Sequence, residues 1–105
     1  MPFKCNEPAV PTLQSEDDAV RITRWDFVPG AATGWHTHGW PYFVVLRTDA
    51  VMKAERNGEI SEVRYKAGAS HQRPAGVEHD VLNASNKAMA FVEIEIKRPQ
   101  DLGSA

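Results

Sequence analysis

His36 and His38, two residues apart, and His79 further along the chain carry its most legible chemistry. A neutral imidazole is a metal ligand, and on an extended strand residues i and i+2 project to one side, about 6 to 7 Å apart. That is close enough to share an ion. A single histidine on a strand is more often a surface or hydrogen-bonded residue, so the grouping is what points to a site. A third imidazole from another strand would put three ligands on one side of a metal and leave the other positions to water or substrate, as in catalytic rather than structural centres. His36, His38 and His79 are therefore the expected metal ligands.

These side chains need strands to hold them, and the flanking residues supply strands and turns. From Gly68 to Asn83, Gly68 can turn out of a hairpin and Pro74 and Gly76 shape a tight turn, after which His79 and Asn83 share one face of a strand. Upstream, alternation from Trp35 puts His36, His38, Trp40 and Tyr42 on one face, with Gly39 and Pro41 weakening the register. Val20–Val28 is β-branched and aromatic and ends at Pro29-Gly30. Tyr42–Leu46 is apolar on both faces, as a central strand would be. Val51–Arg56 and Glu59–Tyr65 flank Asn57-Gly58, the strongest hairpin signal in the chain. In the last strand, Ala88–Lys97, Ala90, Val92, Ile94 and Ile96 face one way and Glu93, Glu95 and Lys97 the other. No window carries a helical period, so the chain reads as all-β, a sandwich or small barrel of short antiparallel strands.

A chain of 105 residues is one domain. Residues 1–19, with Pro2, Pro8, Pro11 and the acidic run Glu16-Asp17-Asp18, read as an extended arm, 20–97 as the globular part and 98–105 as a tail. Twelve Lys and Arg against fourteen Asp and Glu give a net charge of -2, which offers no field for nucleic acid or an anionic membrane. The lone Cys5 forms no internal disulfide and reads as a free thiol on the arm. There is no apolar leader and no membrane-length apolar run, so a cytoplasmic location is expected.

Two spacings resemble those of a known family. Gly30-x5-His36-x-His38 is similar to the first half of the first cupin motif, and Gly68-x5-Pro74-x-Gly76-x2-His79-x3-Asn83 matches the second motif at all five of its fixed positions. The resemblance runs from about residue 20 to residue 97 and implies a cupin-type small β-barrel, or jelly roll, with one divalent transition metal inside. The compact form of the two stretches is similar to that of small single-domain bacterial cupins named for β-alanine degradation. One departure stands out. The family places a Glu after a gap of three or four residues from the second His, where this chain has Tyr42 and Phe43. Glu78 and Asp80 flank His79 but point to the opposite face of its strand, so no carboxylate is expected at the metal and an anionic ligand is favoured.

Three-His cupins include thiol dioxygenases and other oxygenases that use ferrous iron, and such a site also suits Zn, Ni, Cu or Mn. The resemblance therefore implies a metal-dependent (di)oxygenase of a small polar or anionic metabolite, with Fe(II) as its metal. Non-redox isomerase, lyase or hydrolase chemistry, or non-enzymatic binding of a small molecule, are the alternatives. Tyr42 would hydrogen-bond substrate or a metal-bound water as the catalytic candidate, or simply line the barrel. Arg73 would hold a substrate carboxylate or else be solvated or ion-paired. His71 reads as a surface or second-layer residue rather than a fourth ligand, and Asn83 as a turn anchor. Trp25, Trp35, Trp40, Phe27 and Phe91 read as core, pocket wall or dimer surface. An exposed sheet edge and the N-terminal arm suggest a homodimer.

Overall fold

In the computed structural model, which describes residues 7–98, Asn57 has φ 53° and Gly58 φ 79°. Positive φ at both positions is what the two-residue turn between antiparallel strands requires. The hairpin joins β5 (Ala50–Arg56) to β6 (Glu59–Tyr65), paired throughout from Ala50 opposite Tyr65 to Arg56 opposite Glu59. The other strands are β1 (Val10–Glu16), β2 (Val20–Phe27), β3 (His36–Thr37), β4 (Tyr42–Leu46), β7 (Ser70–Arg73), β8 (Glu78–Asn83) and β9 (Met89–Ile96). They form a five-stranded sheet in the order β1-β2-β9-β4-β7 and a four-stranded sheet in the order β3-β8-β5-β6, with antiparallel pairing throughout. The described residues contain no helix, and so none long and apolar enough to cross a membrane. Cys5 and the tail beyond Arg98 lie outside the described residues.

The core fills the space between the sheets. Phe27, Tyr42, Val44, Leu46, Met89 and Phe91 come from one sheet, and Met52 and Val81 from the other. The Phe27 and Phe91 rings meet with centroids 5.4 Å apart and planes tilted by 38°. Each large side chain buried here contributes roughly 1.5–3 kcal/mol.

Strand β9 shows which of two alternating rows faces inward. Met89, Phe91 and Glu93 are buried, whereas Val92, Ile94 and Ile96 are only partly so. The register explains it: Phe91 lies opposite Trp25 and Leu46, and Glu93 opposite Val44, so the row carrying the acids shares the face of the core strands. The more apolar row, with Ile94 opposite Ile22 and Phe43, is the sheet's outer face. Hydrophobicity alone picks the wrong row because β9 is central in its sheet and both rows are apolar at one end.

Alternation from Trp35 to Tyr42 also breaks. Strand β3 is two residues long, and Trp40 sits beneath Arg21 and Lys97, whose charged groups lie 5.0 and 5.7 Å from its ring centroid. Within the stretch read as an arm, Val10–Glu16 adds to β2 as an edge strand. Its side chains are all exposed, so backbone hydrogen bonding holds it rather than burial.

Candidate metal centre

The three histidines converge from two segments. Pairing of β3 with β8 sets His36 opposite His79, on one face of the four-stranded sheet. His38 lies past the end of β3, and backbone hydrogen bonds hold it: its N–H donates to the Val77 carbonyl at 2.8 Å, and its carbonyl accepts from Gly76 N–H at 2.8 Å. Gly76 has φ 91°, a conformation that a residue with a Cβ adopts only under strain. His38 Nε2 then lies 3.0 Å from His36 Nε2 and 3.1 Å from His79 Nε2. Nitrogens bound to one ion at about 2.0–2.1 Å are roughly 3 to 3.4 Å apart, so the trio fits a divalent transition metal.

The supporting contacts set the chemical form of the cage. His36 Nδ1 is 2.9 Å from the Gly34 carbonyl. A carbonyl only accepts, so Nδ1 carries the proton and Nε2 presents its lone pair to the cage. Gly34 is fixed in turn by donating its N–H to buried Asp80 at 3.1 Å, while Thr33 Oγ1 accepts the Val81 N–H at 3.1 Å. Asp80 thus works from the far face of β8 by positioning the His36 loop. Glu78 accepts a hydrogen bond from Thr37 Oγ1 at 3.1 Å. Burial, reinforced by neighbouring His36, pushes the His38 imidazole down to about 4. Burial, followed by the charges of His36 and His38 and of Arg56 and Arg73, pushes His79 down to about 3. Both rings are neutral at physiological pH, the form that binds a metal.

One cavity of about 80 Å³ opens beside the cage. His79, Tyr42, Glu93, His71, Arg56 and Arg73 contribute to its lining, with Val63, Val81 and Phe91 as apolar wall. Tyr42 stacks on His38, with centroids 3.8 Å apart and planes at 20°. Its buried Oη has no hydrogen-bond partner among the described residues, and burial together with Glu93 drives its ionisation well above the usual range. His71 stacks on Tyr65 at 4.9 Å, outside the cage, and its buried Nδ1 likewise has no partner among the described residues. Burial lowers its pKa, with a further contribution from Arg73. Arg73, half-buried on β7, and exposed Arg56 on β5 reach the same cavity from opposite sheets.

The sequence profile of the cupin domain matches residues 23–95. The chain belongs to the cupin family. Relatives agree: the chain is 46% identical over 89 residues to the β-alanine degradation protein BauB of Pseudomonas aeruginosa, covering 85% of this chain and 94% of that one. A crystal structure of a cupin domain from Bordetella pertussis is 41% identical and superposes with a TM-score of 0.86, covering 91% of this chain and 99% of that one. A double-stranded β-helix protein from Klebsiella pneumoniae, 17% identical, shares the fold at a TM-score of 0.72 over 91% of this chain and 83% of its own.

This cupin departs from its motif as the sequence indicates, with Tyr42 pointing inward and Phe43 exposed. One buried carboxylate nevertheless lies beside the cage, near His38. Glu93 on β9, 7% exposed, has Oε2 3.8 Å from His38 Nε2 and accepts the Trp25 indole N–H on Oε1 at 3.1 Å. Burial outweighs the Trp25 hydrogen bond and, with Glu95 adding to it, pushes the carboxyl up to about 7. The group of mutually close ligand atoms is the three histidines alone, as the sequence led us to expect, with Glu93 beside His38 and outside that group. Sequence reasoning missed Glu93 because the motif looks for an acid on β4, and β4 pairs with β9, where Glu93 faces Val44. Trp25 was read only as core or wall, yet it also stacks on His36 with planes at 18° and centroids 6.5 Å apart. Arg56 carried no signal beyond its charge.

Proposed function

We propose that this cupin is a metal-dependent oxygenase of a small metabolite bearing a carboxylate. The observation that carries the reading is the shared cavity: His79 of the histidine cage, two guanidinium groups and the unpartnered Tyr42 line one space. At about 80 Å³ it has room for roughly three waters, by the ~30 Å³ each takes up in the liquid, so the ligand is small. His36, His38 and His79 would hold the ion, which when bound supplies a site at which substrate and O₂ are brought together. Ferrous iron is the ion proposed. Arg73 and Arg56 bind the substrate carboxylate through charge-assisted hydrogen bonds. The Tyr42 hydroxyl, kept protonated by burial, donates to a polar group of the substrate and so orients it. Val63, Val81 and Phe91 exclude water from the apolar side. The name of the Pseudomonas relative supports a substrate of this size and charge, because β-alanine is itself a small amino acid with a carboxylate.

The test is anaerobic reconstitution with Fe²⁺, followed by O₂ uptake against a panel of small carboxylates that includes β-alanine and compounds derived from it. Substrate-dependent uptake is expected, and Arg73→Met should raise KM more than it lowers kcat. No uptake across the panel overturns the oxygenase reading, and turnover of the same panel with Zn²⁺ under anaerobic conditions would replace it with non-redox chemistry. The proposal includes a homodimer, supported by the exposed edge strand β1. A monomer mass in sedimentation would remove that part.

A further inference from the structure

We propose that Glu93 is a fourth protein ligand to the metal, an inference that rests on the three-histidine centre described above. Three observations converge on it. The first is position. Glu93 Oε2 is 3.8 Å from His38 Nε2 and approaches from the sheet opposite to His36 and His79; it lies outside the group of mutually close ligand atoms that the three histidines form, so ligation draws the carboxylate inward.

The second is how the carboxylate is held. Trp25 Nε1 donates to Oε1 at 3.1 Å, which leaves Oε2 as the oxygen turned toward the cage. A carboxylate that ligates a metal is characteristically oriented by a hydrogen bond to its other oxygen. Trp25 also stacks on His36, so one indole positions two members of the proposed ligand set.

The third is charge. Three neutral imidazoles leave a divalent ion wholly uncompensated by protein, while Glu93 is a buried acid with no Lys or Arg within 4.0 Å among the described residues. Burying either charge alone is costly, and bringing them together removes both penalties. Strand pairing makes the substitution possible: β9 lies beside β4, so an acid on β9 reaches the space that Tyr42 and Val44 line.

Zn²⁺ and Co²⁺ titration against a chromophoric chelator tests this in the wild type, Glu93→Gln and His79→Ala. Gln keeps the shape and can still accept the Trp25 N–H. Wild-type binding is expected together with at least tenfold weaker binding in Glu93→Gln and a changed visible spectrum of its Co²⁺ form. Wild-type affinity and spectrum in Glu93→Gln, with binding lost in His79→Ala, would overturn ligation by Glu93 and leave the three-histidine centre standing. No binding by the wild type would overturn both. Should Glu93→Gln lack the wild-type circular dichroism spectrum, Glu93→Asp decides: it keeps the charge but shortens the reach, so weakened binding supports ligation and full affinity overturns it.

Discussion

Asn83, 1% exposed at the end of β8, ties together the turn after β2 and the turn after its own strand. Its Nδ2 donates to the Lys87 carbonyl at 2.8 Å and to those of Phe27 and Val28 at 3.3 Å each. Its Oδ1 accepts from Ser85 N–H at 3.0 Å and Ser85 Oγ–H at 2.8 Å. Asn83→Ala removes all five. The three short bonds contribute about 1 kcal/mol each, and the two long ones share one proton and add about 0.5 kcal/mol together, so the expected loss is about 3 to 4 kcal/mol. For a domain of this size that lowers Tm by roughly 12–32 °C. The assay is urea unfolding of the metal-free protein followed by circular dichroism. Zn²⁺ affinity of the folded fraction should stay within about twofold, because Asn83 touches no cage residue. A stability loss under about 1 kcal/mol would refute the reasoning, since it would mean that water replaces the amide at little cost. Asn83→Asp should be worse than Ala, because it sets an oxyanion against three carbonyl oxygens.

Other expectations follow from the same geometry. His38 and His79 are held down to about 4 and about 3 from an ordinary 6.5, so between pH 6.5 and 4 the unfolded chain takes up protons that the folded one refuses. Metal-free stability should therefore fall as pH falls through that window, by up to about 1.4 kcal/mol per pH unit for each ring. Glu93, raised from 4.5 to about 7, acts in the opposite sense and offsets part of the slope. A urea midpoint that stays level from pH 6.5 to 5 would contradict this. Tyr42→Phe removes a buried hydroxyl that has no partner among the described residues, so thermal unfolding should show stability unchanged or raised by about 1 kcal/mol while ligand affinity drops. Gly76→Ala meets no neighbouring atom but must hold φ 91°, which costs about 1–2 kcal/mol. It should also weaken Zn²⁺ binding in the same titration, through the hydrogen bonds from that turn to His38.

The strands and the histidines were legible because their signals are local. Asn57-Gly58 dictates its turn by φ alone, and the spacing of Gly68, Pro74, Gly76 and His79 encodes a turn that delivers one ligand to the next strand. His38 was placed in the right cluster for an incomplete reason, because turn hydrogen bonds rather than strand alternation hold it there. Glu93 was not legible, since its meaning depends on β9 pairing with β4 across about fifty residues of sequence and on which of two apolar rows turns inward. Arg56 and Arg73 share a cavity only because their strands lie in different sheets that face each other. Such long-range facts are set by topology and leave no periodic trace.

The brevity of β3 has a mechanical consequence. Only His36 and Thr37 pair with β8 as a strand, the rest of the loop being tied down by isolated hydrogen bonds at Thr33, Gly34 and His38, so an ion shared by His36 and His79 would add a cross-link between segments far apart in sequence. Like a disulfide, such a link closes a long loop and restrains the unfolded chain. Unlike a disulfide, it is released by a chelator, so the segment from Thr33 to Pro41 would become a proteolytic weak point whenever metal is scarce. Metal supply would then govern how long the protein survives as well as whether it works.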